Sequence, residues 1–166
     1  MSHIIMALDQ GTTSSRTILF DESGKIVAEA NAVLDCHFPQ SGWVEQVPED
    51  IWVSQRQTIK AALEQAKLTM KDISAVGITN QRESTIAWNR ETGDALGPAI
   101  NWQCRRTADF CEELKAEGFE SLLRERTGLV TDPYFSGTKM RWILENVPQA
   151  SQLAEQGKLC FGTVDS

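Results

Sequence analysis

Near the start of the chain an apolar run, Ile4-Ile5-Met6-Ala7-Leu8, stops at the polar stretch Asp9-Gln10-Gly11-Thr12-Thr13-Ser14-Ser15-Arg16, and a second apolar run, Thr17-Ile18-Leu19-Phe20, follows at once. A continuous apolar run of strand length is the pattern of a strand buried on both faces. Asp21-Glu22-Ser23-Gly24-Lys25 carries the chemistry of another turn, and Ile26 to Val33 reads as a third strand. The chain therefore opens as an antiparallel meander. Pro48 to Ala66 then reads as a helix, with a proline and two acids, Glu49 and Asp50, in its first turn and with Trp52, Ile59, Leu63 and Ala66 at helical spacing. Ile73 to Thr79 is the next apolar strand. A strand, helix, strand crossover implies a parallel neighbour, so the class is α/β with a mixed sheet.

From Arg82 the order changes. Short strands around Ser84–Trp88 and Ala99–Trp102 flank the turn Asn89-Arg90-Glu91-Thr92-Gly93-Asp94, the pattern of an inserted hairpin. Helices are expected over Cys104 to Glu117, stopped by Gly118, over Phe119 to Arg126, stopped by Gly128, and over Thr138 to Asn146, with Pro148 beyond. Leu159 to Val164 returns to a strand pattern. Asp165-Ser166 follows directly, where an α/β unit turns into its covering helix, so the architecture is expected to be incomplete at the C-terminus.

Sixteen basic against twenty-three acidic side chains give a formal charge of −7, which disfavours nucleic acid or an anionic membrane held by long-range attraction. No apolar run approaches the ~18 to 20 residues of a membrane span. Met1-Ser2-His3 leads into the first strand rather than into a cleavable signal, so the expected compartment is the cytoplasm. Cys36, Cys104, Cys111 and Cys160 form no C-x-x-C pair and read as reduced. On the expected helix Cys104 and Cys111 would stand about 10 Å apart along the axis, too far for a disulfide. His3 and His37 lack ligand-spaced neighbours, so zinc is not expected.

The turn Asp9 to Arg16 suits polyphosphate. Gly11 permits close backbone approach, Thr12 and Thr13 offer N–H and hydroxyl donors, and Arg16 can make charge-assisted bonds. Asp9 only accepts, and its natural partner is a hydrated magnesium ion that also takes phosphate oxygens. The same composition also suits a polar hairpin without a ligand. It is neither a Walker loop nor a dinucleotide fingerprint, because those turns open a helix and this one opens a strand.

At the C-terminal end of the strand Ile73 to Thr79, where α/β folds hold ligands, stands Thr79-Asn80-Gln81-Arg82-Glu83-Ser84-Thr85. The carboxylate of Glu83 takes hydroxyl protons and the guanidinium of Arg82 supplies donors, a pair that suits a small polyol; it equally suits an exposed surface ion pair. Adjacent strand residues point to opposite faces, so both can line one site only if the chain bends there. Trp102 can offer an apolar wall and Tyr134, the sole tyrosine, a phenol, although singly each aromatic also fits a core.

The phosphate turn is similar to the first phosphate loop of the actin, hexokinase and heat-shock ATPase superfamily, whose ribonuclease H-like domain opens with a three-stranded meander, helix and strand. Across the whole chain, the strings Leu8-Asp9-Gln10-Gly11-Thr12-Thr13-Ser14-Ser15-Arg16, Gly42-Trp43-Val44-Glu45, Gly77-Ile78-Thr79-Asn80-Gln81-Arg82-Glu83, Trp102-Gln103-Cys104-Arg105-Arg106-Thr107, Thr127-Gly128-Leu129, Asp132-Pro133-Tyr134-Phe135-Ser136-Gly137-Thr138-Lys139 and Phe161-Gly162-Thr163-Val164-Asp165 resemble the glycerol kinase branch of the FGGY carbohydrate kinase family. Xylulose kinases of that family typically carry a Gly-Gln-Met-His-Gly type string in place of Thr79 to Glu83.

The resemblance implies ATP-dependent phosphorylation of glycerol with Mg2+. It implies that Arg82, Glu83 and Tyr134 bind glycerol hydroxyls with Trp102 against the carbon chain, that Thr12, Thr13, Ser14 and Arg16 contact the ATP or ADP phosphates, and that Asp9 lies near magnesium, through water. It also implies a homo-oligomer for the intact relatives. The aspartate that serves such kinases as general base, and their whole second domain, lie downstream of the positions matched here. Residues 1–166 are thus expected to be the N-terminal part of the first kinase domain, and inactive in isolation.

Overall fold

A computed structural model describes residues 3–166; Met1 and Ser2, on which part of the reading of the N-terminus rests, lie outside the described residues. The chain divides into two compact units, the first formed by Met1–Cys36, Gln46–Gln81 and Val164–Ser166 and the second by His37–Glu45 and Arg82–Thr163.

In the first unit, β1 (Ile4–Gln10), β2 (Ser14–Phe20) and β3 (Ile26–Val33) form the expected meander. Helix α1 (Pro48–Ala66) leads to β5 (Ile73–Thr79), after the two-residue strand β4 (Glu45–Gln46). The sheet order is β3-β2-β1-β5, with β5 parallel to β1 and the other pairs antiparallel. This is the mixed sheet that the crossover required. Pro48 and the acids Glu49 and Asp50 start α1, and Lys67 in the left-handed region ends it by donating its N–H to the carbonyls of Glu64 and Leu63.

One face of α1 packs on the meander around Ile4, Met6, Leu19, Ala28, Ala62 and Leu63. Two expectations change here. β1 is covered on one face rather than two: Ile4 and Met6 are buried while Ile5 is 46% exposed, because α1 packs on the sheet from one side. Trp52 is not a core residue either; it points to solvent with the Arg56 guanidinium 5.7 Å from its ring. The face that α1 turns to the sheet carries Ser54, Gln55 and Thr58, and these match the inward hydroxyls of β2. Ser15 Oγ donates to Gln10 Oε1 at 2.7 Å and lies 2.5 Å from Ser54 Oγ, Thr17 and Thr58 hydroxyls bond at 2.9 Å, and the Gln55 amide donates to both threonines at 3.0 Å. Their mutual bonds make these polar groups tolerable in a buried layer.

In the second unit, β6 (Ile86–Asn89) turns through Gly93, whose φ is 78°, and Trp88 bridges to Ala95, which gives the expected hairpin turn. The main partner of β6 is β8 (Leu159–Gly162), paired antiparallel, while β7 (Ala99–Ile100) meets it through a Thr85–Ile100 bridge. Helices α2 (Ala108–Ala116), α3 (Phe119–Thr127), α4 (Ser136–Asn146) and α5 (Pro148–Glu155) complete the order.

Helix α2 starts later than expected and leaves Cys104 outside it. The backbone before it is engaged elsewhere: the Gln103 N–H donates to the Asn101 side chain at 2.9 Å and the Arg105 N–H to the Gly42 carbonyl at 2.7 Å. All four cysteines are free thiols. Pro148 opens α5 instead of merely following α4, as its fixed φ and missing N–H allow at a first helical position.

The Arg106 guanidinium lies 3.8 Å from the ring centre of Trp43 and 4.6 Å from that of Trp142, and bonds the Glu45 carboxylate at 2.5 Å. Its side chain is 1% exposed. Among the described residues, no helix is long and apolar enough to cross a membrane.

Candidate functional site

The first unit carries the phosphate-type turn. Gln10 ends β1, residues 11–13 bend, and Ser14 begins β2, so the turn is a tight connection between antiparallel strands. Gly11 donates its N–H to the Ser14 carbonyl at 2.9 Å, and a Cβ on Gly11 would lie 3.2 Å from that same oxygen. The glycine is therefore needed for a close approach within the turn itself.

Every carbonyl along the bend is engaged from behind. The Gly11 carbonyl accepts the Gln81 amide at 2.9 Å, the Thr12 carbonyl accepts the Gln46 amide at 2.9 Å, and the Thr13 carbonyl accepts the Leu34 N–H at 2.9 Å. Gln81 also donates to Gln46 Oε1 at 3.0 Å, which makes the two amides one brace. Engaging the carbonyls fixes the shape of the bend before any ligand arrives and lowers the negative potential an anion would meet. Gln46 and Gln81 are the site residues that sequence reading missed; neither amide, distant in sequence from the turn, carries a local signal of this role.

Asp9 stands opposite Arg16 on β2 and Thr79 on β5 in the sheet register. The Arg16 guanidinium pairs with Glu29 at 3.5 Å, both side chains being about two-fifths exposed. Such a pair is worth about 0–1 kcal/mol, so it does not prevent Arg16 from turning to a phosphate. Thr12 and Ser14 are half-buried and Thr13 is exposed. The turn thus unites Asp9, Thr12, Thr13, Ser14 and Arg16 in a single unit.

The second unit unites the other four predicted residues. The chain bends at Arg82 and Glu83, which lie in a turn just after β5, as their joint use demanded. Burial and then the nearby Glu83 carboxylate push the Tyr134 phenol above its usual range, while the Arg82 charge pulls the other way. Trp102 and Tyr134 rings meet edge to face, centroids 5.6 Å apart at 67°, and Tyr134 meets Phe135 at 5.1 Å. Neither Trp102 nor Tyr134 is fully buried.

Four main-chain links hold this group. The Trp102 N–H donates to Ser84 Oγ at 3.1 Å, Thr85 and Ile100 exchange backbone bonds at 2.9 Å, the Tyr134 N–H donates to Asp132 Oδ1 at 2.8 Å, and Lys139 of α4 donates to the Glu83 carbonyl at 2.7 Å. A carboxylate, a phenol and a guanidinium beside an aromatic wall provide hydroxyl-binding groups together with an apolar surface for C–H bonds.

A meander, a crossover helix and a tight polar turn at the β1–β2 connection belong to a domain of the actin- and hexokinase-like ATPase fold. The chain belongs to the FGGY family of carbohydrate kinases: residues 4–166 match the N-terminal domain of that family. It is 58% identical over 98% of its length to a glycerol kinase from Ralstonia nicotianae, covering 32% of that protein. Among solved structures, it is similar to a glycerol kinase from Plasmodium falciparum determined with ADP, with a TM-score of 0.90 and 28% identity over 99% of this chain and 33% of that one. A xylulose kinase from Rhodospirillum rubrum follows the same fold, with a TM-score of 0.84 and 25% identity over 98% of this chain and 32% of that one. The chain thus spans about a third of the length of the relatives it matches.

Proposed function

We propose that the protein transfers the γ-phosphoryl group of ATP to a terminal hydroxyl of glycerol, giving sn-glycerol 3-phosphate, in the cytoplasm. The observation that carries this reading is the convergence of Glu83, Tyr134 and Trp102 beside Arg82, a set with the hydroxyl-binding groups and the small apolar wall that a three-carbon polyol needs. In this reading Arg82, Glu83 and Tyr134 take the hydroxyls, and Trp102 lies along the carbons. Thr12, Thr13, Ser14 and Arg16 take the nucleotide phosphates. The high identity to glycerol kinases, and the ADP held by the Plasmodium relative, support both substrates.

Magnesium fits the donor chemistry. Asp9 contributes one carboxylate at the end of β1, and among the described residues no group of three metal-binding side chains forms a protein cage. A hydrated ion that takes one carboxylate and completes its shell with water and phosphate oxygens suits such a setting; when bound it would offset phosphate charge. Asp9, through water, is the residue we assign to it.

In this reading these residues contribute to catalysis by positioning the substrates and neutralising charge. The general base toward the acceptor hydroxyl is assigned to an aspartate outside these residues, in the part of the first domain, or in the second domain, that the relatives possess beyond the matched third. Losing such a base typically costs ~10² to 10⁴ in rate. The test is a panel of glycerol, xylulose, ribulose, gluconate and erythritol offered with MgATP to the full-length protein. Glycerol should be turned over with the highest kcat/KM; preference for xylulose or gluconate would move the protein to another branch of the family.

A further inference from the structure

Lys139 is completely buried, on the second turn of α4. An ammonium ion without water is costly to keep in a fold, and a methionine or leucine would fill the same volume at lower cost. Its donors go to main-chain oxygens rather than to a carboxylate: one to the carbonyl of Glu83, at 2.7 Å, and one to the carbonyl of Tyr134. The side chains of those two residues also lie close together, near enough for the Glu83 carboxylate to raise the Tyr134 phenol. The pair is thus linked by proximity of the side chains that would face the polyol and, through its backbone, by the bridging Lys139. Ser136 Oγ adds a longer bond, 3.4 Å, to the same Glu83 carbonyl.

We propose that Lys139 is a positioning residue for the acceptor. By drawing the Glu83 and Tyr134 carbonyls onto a single cation, it sets the separation and aim of the two side chains that receive the glycerol hydroxyls. This rests on the reading of that cluster as the glycerol site. The geometry supports it because Glu83 lies in an irregular turn after β5 and Tyr134 in a second turn before α4, and neither turn has a regular ladder to hold it. A charge-assisted bond to each carbonyl supplies that rigidity from behind, without touching the ligand. Burial lowers the Lys139 pKa to about 8, opposed by the field of neighbours that include Cys104, Glu83 and Asp132.

The test uses the full-length protein with Lys139→Met, which keeps the chain volume and removes the donors, and Lys139→Gln, which restores a neutral donor. Steady-state kinetics for each substrate are the readout. Lys139→Met should raise the KM for glycerol about tenfold or more while the KM for ATP stays within twofold, and Lys139→Gln should recover part of the loss. If Lys139→Met does not fold, Lys139→Gln carries the test through the same split between substrates. A folded variant with unchanged glycerol KM, or with equal losses for glycerol and ATP, would overturn the proposal. A wild type that ignores glycerol would instead overturn the functional reading on which it rests.

Discussion

The two units use different means to hold a polar site. In the first, the proposed phosphate turn is contiguous, Asp9 to Arg16, and its residues are held in register by the hairpin they belong to. In the second, the proposed acceptor cluster is assembled from the turns around Arg82, Trp102 and Tyr134, with long intervals of chain between them. A local turn gets its shape from strand pairing and two bracing amides. The cluster drawn from distant segments is braced by a buried cation, Lys139 at the carbonyls of Glu83 and Tyr134, and the same unit encloses a second, Arg106, between Trp43 and Trp142. The contrast extends to ion pairs. Arg16–Glu29 in the first unit is half in solvent, whereas Arg106–Glu45 in the second is almost fully enclosed.

That contrast can be broken most forcefully at the arginines. Arg106→Leu leaves Glu45 without its partner and removes the cation from between two indoles, so unfolding free energy should fall by about 3–5 kcal/mol in urea titration. Glu29→Gln should change it by about 1 kcal/mol or less. Equal effects from the two would show that burial does not separate these pairs.

At the phosphate turn, Gly11→Ala forces a Cβ to 3.2 Å from the Ser14 carbonyl and shifts the bend by a few tenths of an ångström. The KM for ATP should rise about tenfold, while the KM for glycerol stays unchanged, since small misplacements of a pre-formed polar site are costly.

A further effect is in pH dependence. The Lys139 pKa falls from 10.5 to about 8 through burial, so between these values the unfolded chain holds a proton that the folded chain has released. Stability contributed by this group therefore rises with pH across that window. Wild-type stability minus that of Lys139→Met, from urea unfolding at pH 8 and pH 9.5, should grow with pH by at most about 1.4 kcal/mol per unit. A difference that is flat or falls would mean that Lys139 is not held as described.

Much of the first unit was legible in sequence because its signals are local. The runs at Ile4, Thr17 and Ile26, the proline and acids before Ile51, and the apolar strand at Ile73 each announce their own element. The buried hydroxyl layer of Ser15, Thr17, Ser54 and Thr58 was not legible, because each hydroxyl looks solvent-facing until its partner on the other element is known. Trp52 misled for the opposite reason: helical spacing identified a stripe, but the sheet takes the neighbouring face, with Ile51 and Ser54.

In the second unit the candidate site residues were suggested by chemistry and by resemblance, while the residues that support them were not. A lysine in the early part of a helix, such as Lys139, reads as a solvent-facing charge until the two carbonyls above it are placed. The delayed start of α2 has the same origin, since the carbonyl of Gly42 that captures the Arg105 N–H is remote in sequence.

The central claim is that the acceptor is recognised in the second unit, through Glu83, independently of the nucleotide turn in the first. Its most direct test is calorimetric titration of the full-length wild type and Glu83→Gln with glycerol, and separately with MgADP. The account predicts that glycerol affinity falls at least about tenfold in the variant while MgADP affinity stays within twofold. Undiminished glycerol affinity in a folded Glu83→Gln protein would contradict it.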